Sequence, residues 1–262
     1  VRMVAGRASS IALAVPSGPV HLNFPFREPL VPEHTSHFGQ EERENRSYVS
    51  VSNGVRKPDP AIIENLALEL RNVKRGLIVC GPQGDPELPE AMTRLAEKLQ
   101  YPILADPLSQ LRSGPHDKTW VIDGYDAFLR DDQVVESYIP EVILRFGAMP
   151  VSKAFLLFVK KHPDCRQIII DEGGWREPTQ LASDMIMVDP VAFCRALTCE
   201  TDHKKRTTWS KAWLRLNEVT QKKVVEYSTA DELSEGQVFT ELSTCLPSRS
   251  LLFVGNSMPV RD

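Results

Sequence analysis

The chain has 262 residues, of which 42% are hydrophobic, so it can bury a sizeable core in one large domain or one and a half ordinary ones. Its 31 Lys and Arg against 35 Asp and Glu give a net charge of -4, which argues against nucleic acid or an anionic membrane as the main partner. No apolar run approaches the roughly 20 residues that a membrane span needs. Five cysteines without a CxxC spacing argue against a disulfide framework or a zinc site and indicate reduced thiols in a cytoplasmic protein.

The first part of the chain predicts a helix that leads into a strand. Apolar residues follow helical spacing over 3–15, Pro-Ser-Gly ends the helix, and "PVHLNF" from residue 19 reads as a β-strand. Residues 27–57 are then polar and rich in proline without periodicity, which is long for a loop inside a compact domain. We interpret residues 27–57 as an interdomain linker.

A second domain is predicted from residue 58. Asp59 suits a helix N-cap and Pro60 the first helical position. Six short apolar runs follow, and each ends in Gly or Asp: "RGLIVCG", "YPILAD", "KTWVID", "EVILRFG", "RQIIID" and "MIMVD". Because they are continuously apolar rather than alternating, we predict an α/β fold with an open, mostly parallel sheet covered by helices on both faces.

The last third of the chain predicts two helices and a strand. A long amphipathic helix covers 207–227, with Trp209 and Trp213 on its apolar stripe, and a further helix covers 231–246. "SRSLLFVG" then reads as a strand. The basic run "HKKR" at 203–206 is interpreted as a solvated face, with anion binding as the alternative.

Several loops after the predicted strands carry candidate binding residues. Lys153 follows a strand and falls in the first turn of a helix, where its charge opposes the helix dipole, so it is either a surface lysine or a carboxylate-binding one. Arg112 and Arg176 lie in polar loops at the edge where open α/β sheets bind ligands. The "GPQGD" turn at 81–85 fits no phosphate-binding motif, so a tight turn without a ligand is favoured.

Two closely spaced histidines do not form a metal-binding motif. His34 and His37 lie three residues apart, but no helix aligns them and no acidic or cysteine ligand stands at motif spacing. The sequence therefore predicts no metal site there.

Motifs along the whole chain resemble a known enzyme family. "GPVHLNFPFREPL" at 18–30 resembles the end of the pyrimidine-binding domain in thiamine-diphosphate enzymes. "PLSQLRSG" at 107–114, "WREP" at 175–178 and "VGNSMPVRD" at 254–262 resemble the 2-succinyl-5-enolpyruvyl-6-hydroxy-3-cyclohexene-1-carboxylate synthases of menaquinone biosynthesis.

The resemblance implies a transferase that uses thiamine diphosphate and Mg²⁺, with manganese as another metal it could take. Such an enzyme decarboxylates 2-oxoglutarate and adds the succinyl carbanion equivalent to isochorismate. The resemblance also implies a cytoplasmic homo-oligomer, either a homodimer or a homotetramer, and a central domain with a Rossmann-like, transhydrogenase-type fold.

The resemblance also assigns roles to individual residues. Ser257 and Arg261 match substrate-carboxylate contacts, Lys153 matches a basic position of the same cleft, and Asn256 is a candidate cofactor contact. Some members of the family carry Lys-Arg where this chain has Lys153 followed by Ala154. Arg145 or Arg176 is expected to compensate for that missing charge.

By the same resemblance, the chain is expected to be a piece of the synthase. The family's catalytic glutamate and its GDG…N motif are not found in the 262 residues, so no catalytic residue and no activity is expected of the chain by itself. The expected parts are residues 1–26 from the pyrimidine-binding domain, the linker 27–57, a central domain 58–247, and residues 248–262 from the diphosphate-binding domain. The strands near 20–24 and 250–254 are expected to expose apolar edges.

Two other functions remain open from the sequence. One is a non-catalytic domain that binds a small anion or a metabolite for regulation. The other is a part of a different thiamine-diphosphate enzyme, such as an acetolactate-synthase relative, because the "GPVHLN" strand is shared widely.

Overall fold

A computed structural model describes residues 2–28, 49–228 and 235–255. The chain divides into two compact units, Val1–Val55 and Arg56–Asp262. In the first unit, the helix predicted over 3–15 is present as α1 (Arg2–Leu13). The strand predicted from residue 19 is wrong, because residues 17–27 have no regular secondary structure and pair with no described neighbour. A strand forms only where another strand accepts and donates its backbone hydrogen bonds, which an apolar pattern cannot guarantee.

The second unit alternates strands and helices. Its strands are β1 (Gly76–Cys80), β2 (Ile103–Ala105), β3 (Val121–Ile122), β4 (Val142–Phe146), β5 (Arg166–Asp171) and β6 (Asp184–Met187). Its helices are α2 (Pro60–Asn72), α3 (Leu88–Leu99), α4 (Tyr125–Phe128), α5 (Asp132–Ser137), α6 (Lys153–Lys161), α7 (Pro190–Glu200), α8 (Thr208–Ser228) and α9 (Glu235–Cys245).

The six predicted apolar runs form one parallel sheet in the order β3-β2-β1-β4-β5-β6. The central strands β1 and β4 pair directly, with Val79 opposite Arg145 and Cys80 opposite Phe146. Almost every residue of β1 to β5 is buried, as expected of strands that are covered on both faces. The predicted α/β fold class is confirmed.

Helices cover both faces of this sheet. Helices α2, α3 and α7 pack on one face, in a cluster that includes Leu66, Leu95 and Phe193. Helices α4, α5, α6 and α8 pack on the other, where Trp213 is fully buried. The predicted cap of α2 is present, since the Asp59 carboxylate accepts a hydrogen bond from the Ala61 N–H.

The connection from β5 to β6, residues 172–183, crosses between these parallel strands without forming a helix, as does the connection 106–120 between β2 and β3. The Glu177 carboxylate gives the 172–183 segment its internal structure. Its oxygens accept hydrogen bonds from the backbone N–H groups of Thr179 and Gln180.

The two predicted C-terminal helices are present, and the strand after them is not. Trp209 and Trp213 are buried, whereas Val224 and Tyr227 at the other end of the α8 stripe are exposed. Residues 251–255 form no strand, again because no described segment pairs with them. Within the described ranges, no helix combines the length and the hydropathy that crossing a membrane requires.

Candidate functional site

The carboxyl ends of β1 and β4 form the centre of the candidate site. The chain leaves these two neighbouring strands toward opposite sides of the sheet, which opens a crevice at this edge in doubly wound folds. The loops that follow them touch. A Cβ atom on Gly81 would lie 1.9 Å from the carbonyl oxygen of Ala148, and Gly147 has a positive φ of 71°. Only glycine at position 81 permits this approach.

Lys153 lies at this edge, as the sequence predicted. It is the first residue of α6, and the hydroxyl of the N-cap residue Ser152 accepts a hydrogen bond from the Phe155 N–H at 3.0 Å. The Lys153 side chain is exposed and makes no ion pair or hydrogen bond with any residue that the structure describes. A free cation therefore stands at a helix N-terminus, where the helix dipole does not compensate it.

A buried carboxylate holds the loop that leads to Lys153. Asp106, directly after β2, is fully buried. Its Oδ2 accepts a hydrogen bond from the Val151 N–H at 2.7 Å, and its Oδ1 accepts one from the Leu108 N–H at 2.8 Å. Burial raises the pKa of Asp106, although these hydrogen bonds and the charge of Arg112 oppose the shift.

Asp106 was missed as a site residue in the sequence. The signal for it was present, since an aspartate directly follows a fully apolar strand. Its partner at position 151 is 45 residues away, and no local pattern indicates that contact.

Arg176 and Arg112 are both engaged by the protein. The guanidinium of Arg176 makes two hydrogen bonds to the Asp171 carboxylate, at 2.9 and 3.1 Å. Burial alone would raise the pKa of Asp171, but Arg176 and the N–H groups of Gly173 and Gly174 hold it below its usual value. Arg112 donates from Nε to the carbonyl oxygen of Ala105. Half of the Arg176 side chain remains exposed, so it can still face a ligand.

Arg145 is not available to a ligand at this edge. Its side chain is fully buried, and its ion-pair partner is Glu177, whose side chain is 3% exposed. Burial lowers the pKa of Arg145 to about 10, and the charge of Glu177 opposes the shift. The expectation that Arg145 compensates for the missing charge at position 154 is therefore wrong in this structure, because the side chain is fully buried and its charge is paired with Glu177.

The "GPQGD" turn packs against the loop after β2. Gln83 donates from its side chain to the carbonyl oxygen of Ser109 and from its backbone to that of Leu108. A cleft of about 900 Å³ opens beside the turn, and Gly84 and Gln110 are among the residues that line it. Glu90 lies in the first turn of α3, which disfavours a phosphate at that helix N-terminus.

The basic run 203–206 is only partly a solvated face. Lys204 is half-buried, and its ammonium donates hydrogen bonds to the carbonyl oxygens of Leu70 and Val73 at the end of α2, at 2.5 and 2.8 Å. Burial lowers the pKa of Lys204 to about 8, while the charge of Glu141 opposes this shift. Lys204 thus caps a helix C-terminus rather than facing solvent.

The remaining candidate residues lie outside the described part of the chain. These are Asn256, Ser257 and Arg261, and the histidine pair His34 and His37. Among the described residues, no group of three or more His, Cys, Asp or Glu side chains could hold a metal ion.

Comparison with known proteins decides the family. A family model described as the middle domain of thiamine pyrophosphate enzymes matches residues 37–254. The chain belongs to this family. Its fold agrees with a solved structure described as a thiamin diphosphate-dependent enzyme from Mycobacterium smegmatis, with a TM-score of 0.50 and 21% identity over 78% of this chain and 38% of that one.

Curated relatives match the whole chain. The protein of Geobacillus thermodenitrificans (strain NG80-2) is 47% identical over 265 residues, and that of Chloroflexus aurantiacus is 46% identical over 267 residues. Both are named 2-succinyl-5-enolpyruvyl-6-hydroxy-3-cyclohexene-1-carboxylate synthase, which confirms the resemblance found in the sequence. The matches include 100% of this chain and 45% of each relative, so the chain spans about half the length of these relatives.

Proposed function

We propose that this chain is the central part of a thiamine-diphosphate-dependent synthase. The enzyme decarboxylates 2-oxoglutarate and transfers the succinyl carbanion equivalent to isochorismate. The observation that carries the proposal is the 47% identity over the entire chain to a relative named for this product. In the proposed division, residues 58–247 form the central domain, the segments 1–26 and 248–262 belong to the flanking domains, and 27–57 connect them.

The chemistry of the substrates suits the exposed cation at the carboxyl edge. Both 2-oxoglutarate and isochorismate carry two carboxylates, so the cleft that binds them needs cationic side chains that are not neutralised by the protein. Lys153 meets this condition, since it is exposed and free of a described partner. A bound carboxylate beside Lys153 would also interact favourably with the N-terminus of α6.

Three further contacts are proposed from the resemblance. Ser257 and Arg261 bind substrate carboxylate together with Lys153, and Asn256 faces the cofactor. Arg176 is proposed to make a further contact where Ala154 cannot, because half of its side chain is exposed on the same edge of the sheet and its guanidinium keeps N–H donors beyond the two bonds to Asp171, although Asp171 offsets its charge.

Thiamine diphosphate and Mg²⁺ are the proposed cofactors of the whole enzyme. Thiamine diphosphate stabilises the carbanion that decarboxylation leaves. In the part of the chain that the structure describes, no group of three or more His, Cys, Asp or Glu side chains could hold the metal ion. We therefore assign no metal contact to the described residues.

We also propose that the whole enzyme is a cytoplasmic homo-oligomer.

Product analysis tests the proposal. The whole enzyme is incubated with thiamine diphosphate, Mg²⁺, 2-oxoglutarate and isochorismate, and the product is identified by mass spectrometry. We expect the mass of the succinyl adduct after loss of one CO₂, and no acetolactate when pyruvate replaces both substrates. Acetolactate formation without the adduct would favour an acetolactate-synthase relative. The 262-residue chain alone is expected to give neither product.

A further inference from the structure

The position of Lys153 depends on the loop in front of it. Lys153 begins α6, so its four-carbon side chain projects from the point where the 147–152 segment joins the helix. A flexible side chain can hold a carboxylate only if its backbone is fixed, because each freely moving bond adds an entropic penalty to binding. The contacts of this segment therefore decide how well Lys153 can serve the proposed site.

Asp106 ties this segment to a different part of the sheet. One carboxylate oxygen accepts the Val151 N–H and the other accepts the Leu108 N–H, so a single side chain links the β4–α6 loop to the loop after β2. The carboxylate is fully buried, whereas Lys153, two residues beyond Val151, is exposed. Hydrogen bonds to a buried charge are stronger than those between neutral groups, so this link restrains position 151 firmly.

A second contact restrains the next residue. The Ser152 hydroxyl donates to Asp126 at the start of α4 while it accepts from the Phe155 N–H. Asp126 is also paired with Arg130 one turn later. Positions 151 and 152 are thus each held by a carboxylate from another element, and the residue that follows them is the free cation.

We propose that Asp106 is a positioning residue for Lys153, which holds the lysine backbone through the Val151 N–H so that the ammonium is set for a substrate carboxylate. The proposal rests on the proposed carboxylate-binding role of Lys153. Asp106 itself is buried and touches no substrate.

Hydrogen exchange tests the positioning without any assay of activity. In Asp106→Asn, an amide NH₂ replaces one acceptor and faces a backbone N–H, so one of the two hydrogen bonds is lost. We expect exchange in a peptide over 147–153 to become at least about tenfold faster, while peptides from the middle of β4 and α6 are unchanged. Asp106→Ala removes both acceptor oxygens, so the Val151 N–H loses its partner whichever way the asparagine amide would turn. Equal exchange over 147–153 in the wild type, Asp106→Asn and Asp106→Ala would overturn the proposal.

A matched control and a second variant accompany this measurement. Asp117→Asn removes a carboxylate that also accepts from a backbone N–H, that of Thr119, but on an exposed loop, and we expect no change over 147–153. Should Asp106→Asn fail to fold, Val151→Pro removes the N–H donor and leaves Asp106 intact. Because proline at 151 has no amide N–H and Pro150 has none either, exchange is compared at the remaining amides of 147–153. They are expected to exchange faster than in the wild type, and unchanged exchange at them would contradict the proposal.

A double-mutant cycle in the active enzyme tests the link to Lys153. We expect Asp106→Asn and Lys153→Ala each to raise KM for the same substrate by about tenfold, with a smaller effect on kcat. If Asp106 acts through Lys153, the double variant has the KM of Lys153→Ala alone. If the KM of the double variant is raised by the product of the two single effects, the two residues act independently. That result would overturn the inference and leave the proposed function intact. Absence of activity in the unmodified enzyme would contradict the proposed function, and the exchange measurement would still decide the positioning.

Discussion

Arg145 and Glu177 form an ion pair that is almost completely removed from solvent. Nη2 of Arg145 lies 3.8 Å from Oε1 of Glu177, and the two side chains are 0% and 3% exposed. Within the described structure, no guanidinium nitrogen of Arg145 makes a hydrogen bond, whereas the Glu177 carboxylate accepts several. Glu177 therefore both organises the β5–β6 crossover and supplies the charge that a buried arginine requires.

Removing the charge of Glu177 is expected to destabilise the fold strongly. Glu177→Gln keeps the shape of the side chain but removes the ion-pair partner of the buried guanidinium and one acceptor of the Thr179 and Gln180 N–H groups, which lowers the free energy of unfolding by about 3–5 kcal/mol. Urea denaturation measures this change.

The double variant Arg145→Met/Glu177→Gln serves as the comparison. It removes both charges, so we expect it to regain most of the stability that Glu177→Gln loses. A double variant less stable than Glu177→Gln would show that the buried pair is not the source of the effect.

The contact between Gly81 and Ala148 predicts that alanine destabilises the protein at one glycine of this turn and not at the other. Gly81→Ala places a Cβ 1.9 Å from a backbone oxygen, so the β1 and β4 loops must separate. We expect a loss of about 1–3 kcal/mol in the free energy of unfolding.

Gly84→Ala is the matched control, because nothing lies within 4 Å of a Cβ at position 84. It is expected to change stability by less than about 0.5 kcal/mol. Equal stabilities for the two alanine variants, measured by urea denaturation, would contradict the close approach of the two loops.

Lys204 is expected to make stability depend on pH in the alkaline range. Its pKa is about 8 in the folded protein, against an ordinary value of 10.5. Between these values the unfolded chain binds more protons than the folded one, so the contribution of Lys204 to stability rises with pH and is lost as pH falls through about 8. The difference in the free energy of unfolding between the wild type and Lys204→Met should therefore grow from pH 7.5 to pH 10.

The exposed neighbour Lys205 provides the control for this measurement. Lys205→Met makes the same substitution at an exposed position and measures how much of the change comes from replacing a lysine by methionine in this segment. A difference for Lys204→Met that is flat or falls with pH would rule out the depressed pKa.

The sequence was sufficient to predict the sheet and most helices. Continuous apolar runs such as "GLIVC" indicate burial on both faces, and this property belongs to the segment itself. The strands expected near 20–24 and 250–254 did not form, because strand formation depends on a partner that local pattern does not reveal.

The candidate site was predictable only in part. The placement of Lys153 followed from the strand-turn-helix order around it, but the roles of Asp106 and Lys204 arise from contacts between distant segments. The burial of Arg145 could be predicted, since this residue is a single charge inside the apolar run "VILRF". What the sequence could not indicate was its partner, Glu177, which comes from a crossover without regular structure.

The most direct test of the central claim is the KM of the whole enzyme for each substrate in Lys153→Ala, with Lys160→Ala as control. Lys160 is exposed on the same helix but in its last turn, away from the carboxyl edge. We predict that Lys153→Ala raises KM for 2-oxoglutarate or isochorismate at least about tenfold, through loss of a charge-assisted contact, and that Lys160→Ala leaves both values unchanged. If both KM values of Lys153→Ala stay within about twofold of the wild type, Lys153 does not bind a substrate carboxylate and the proposed site is wrong.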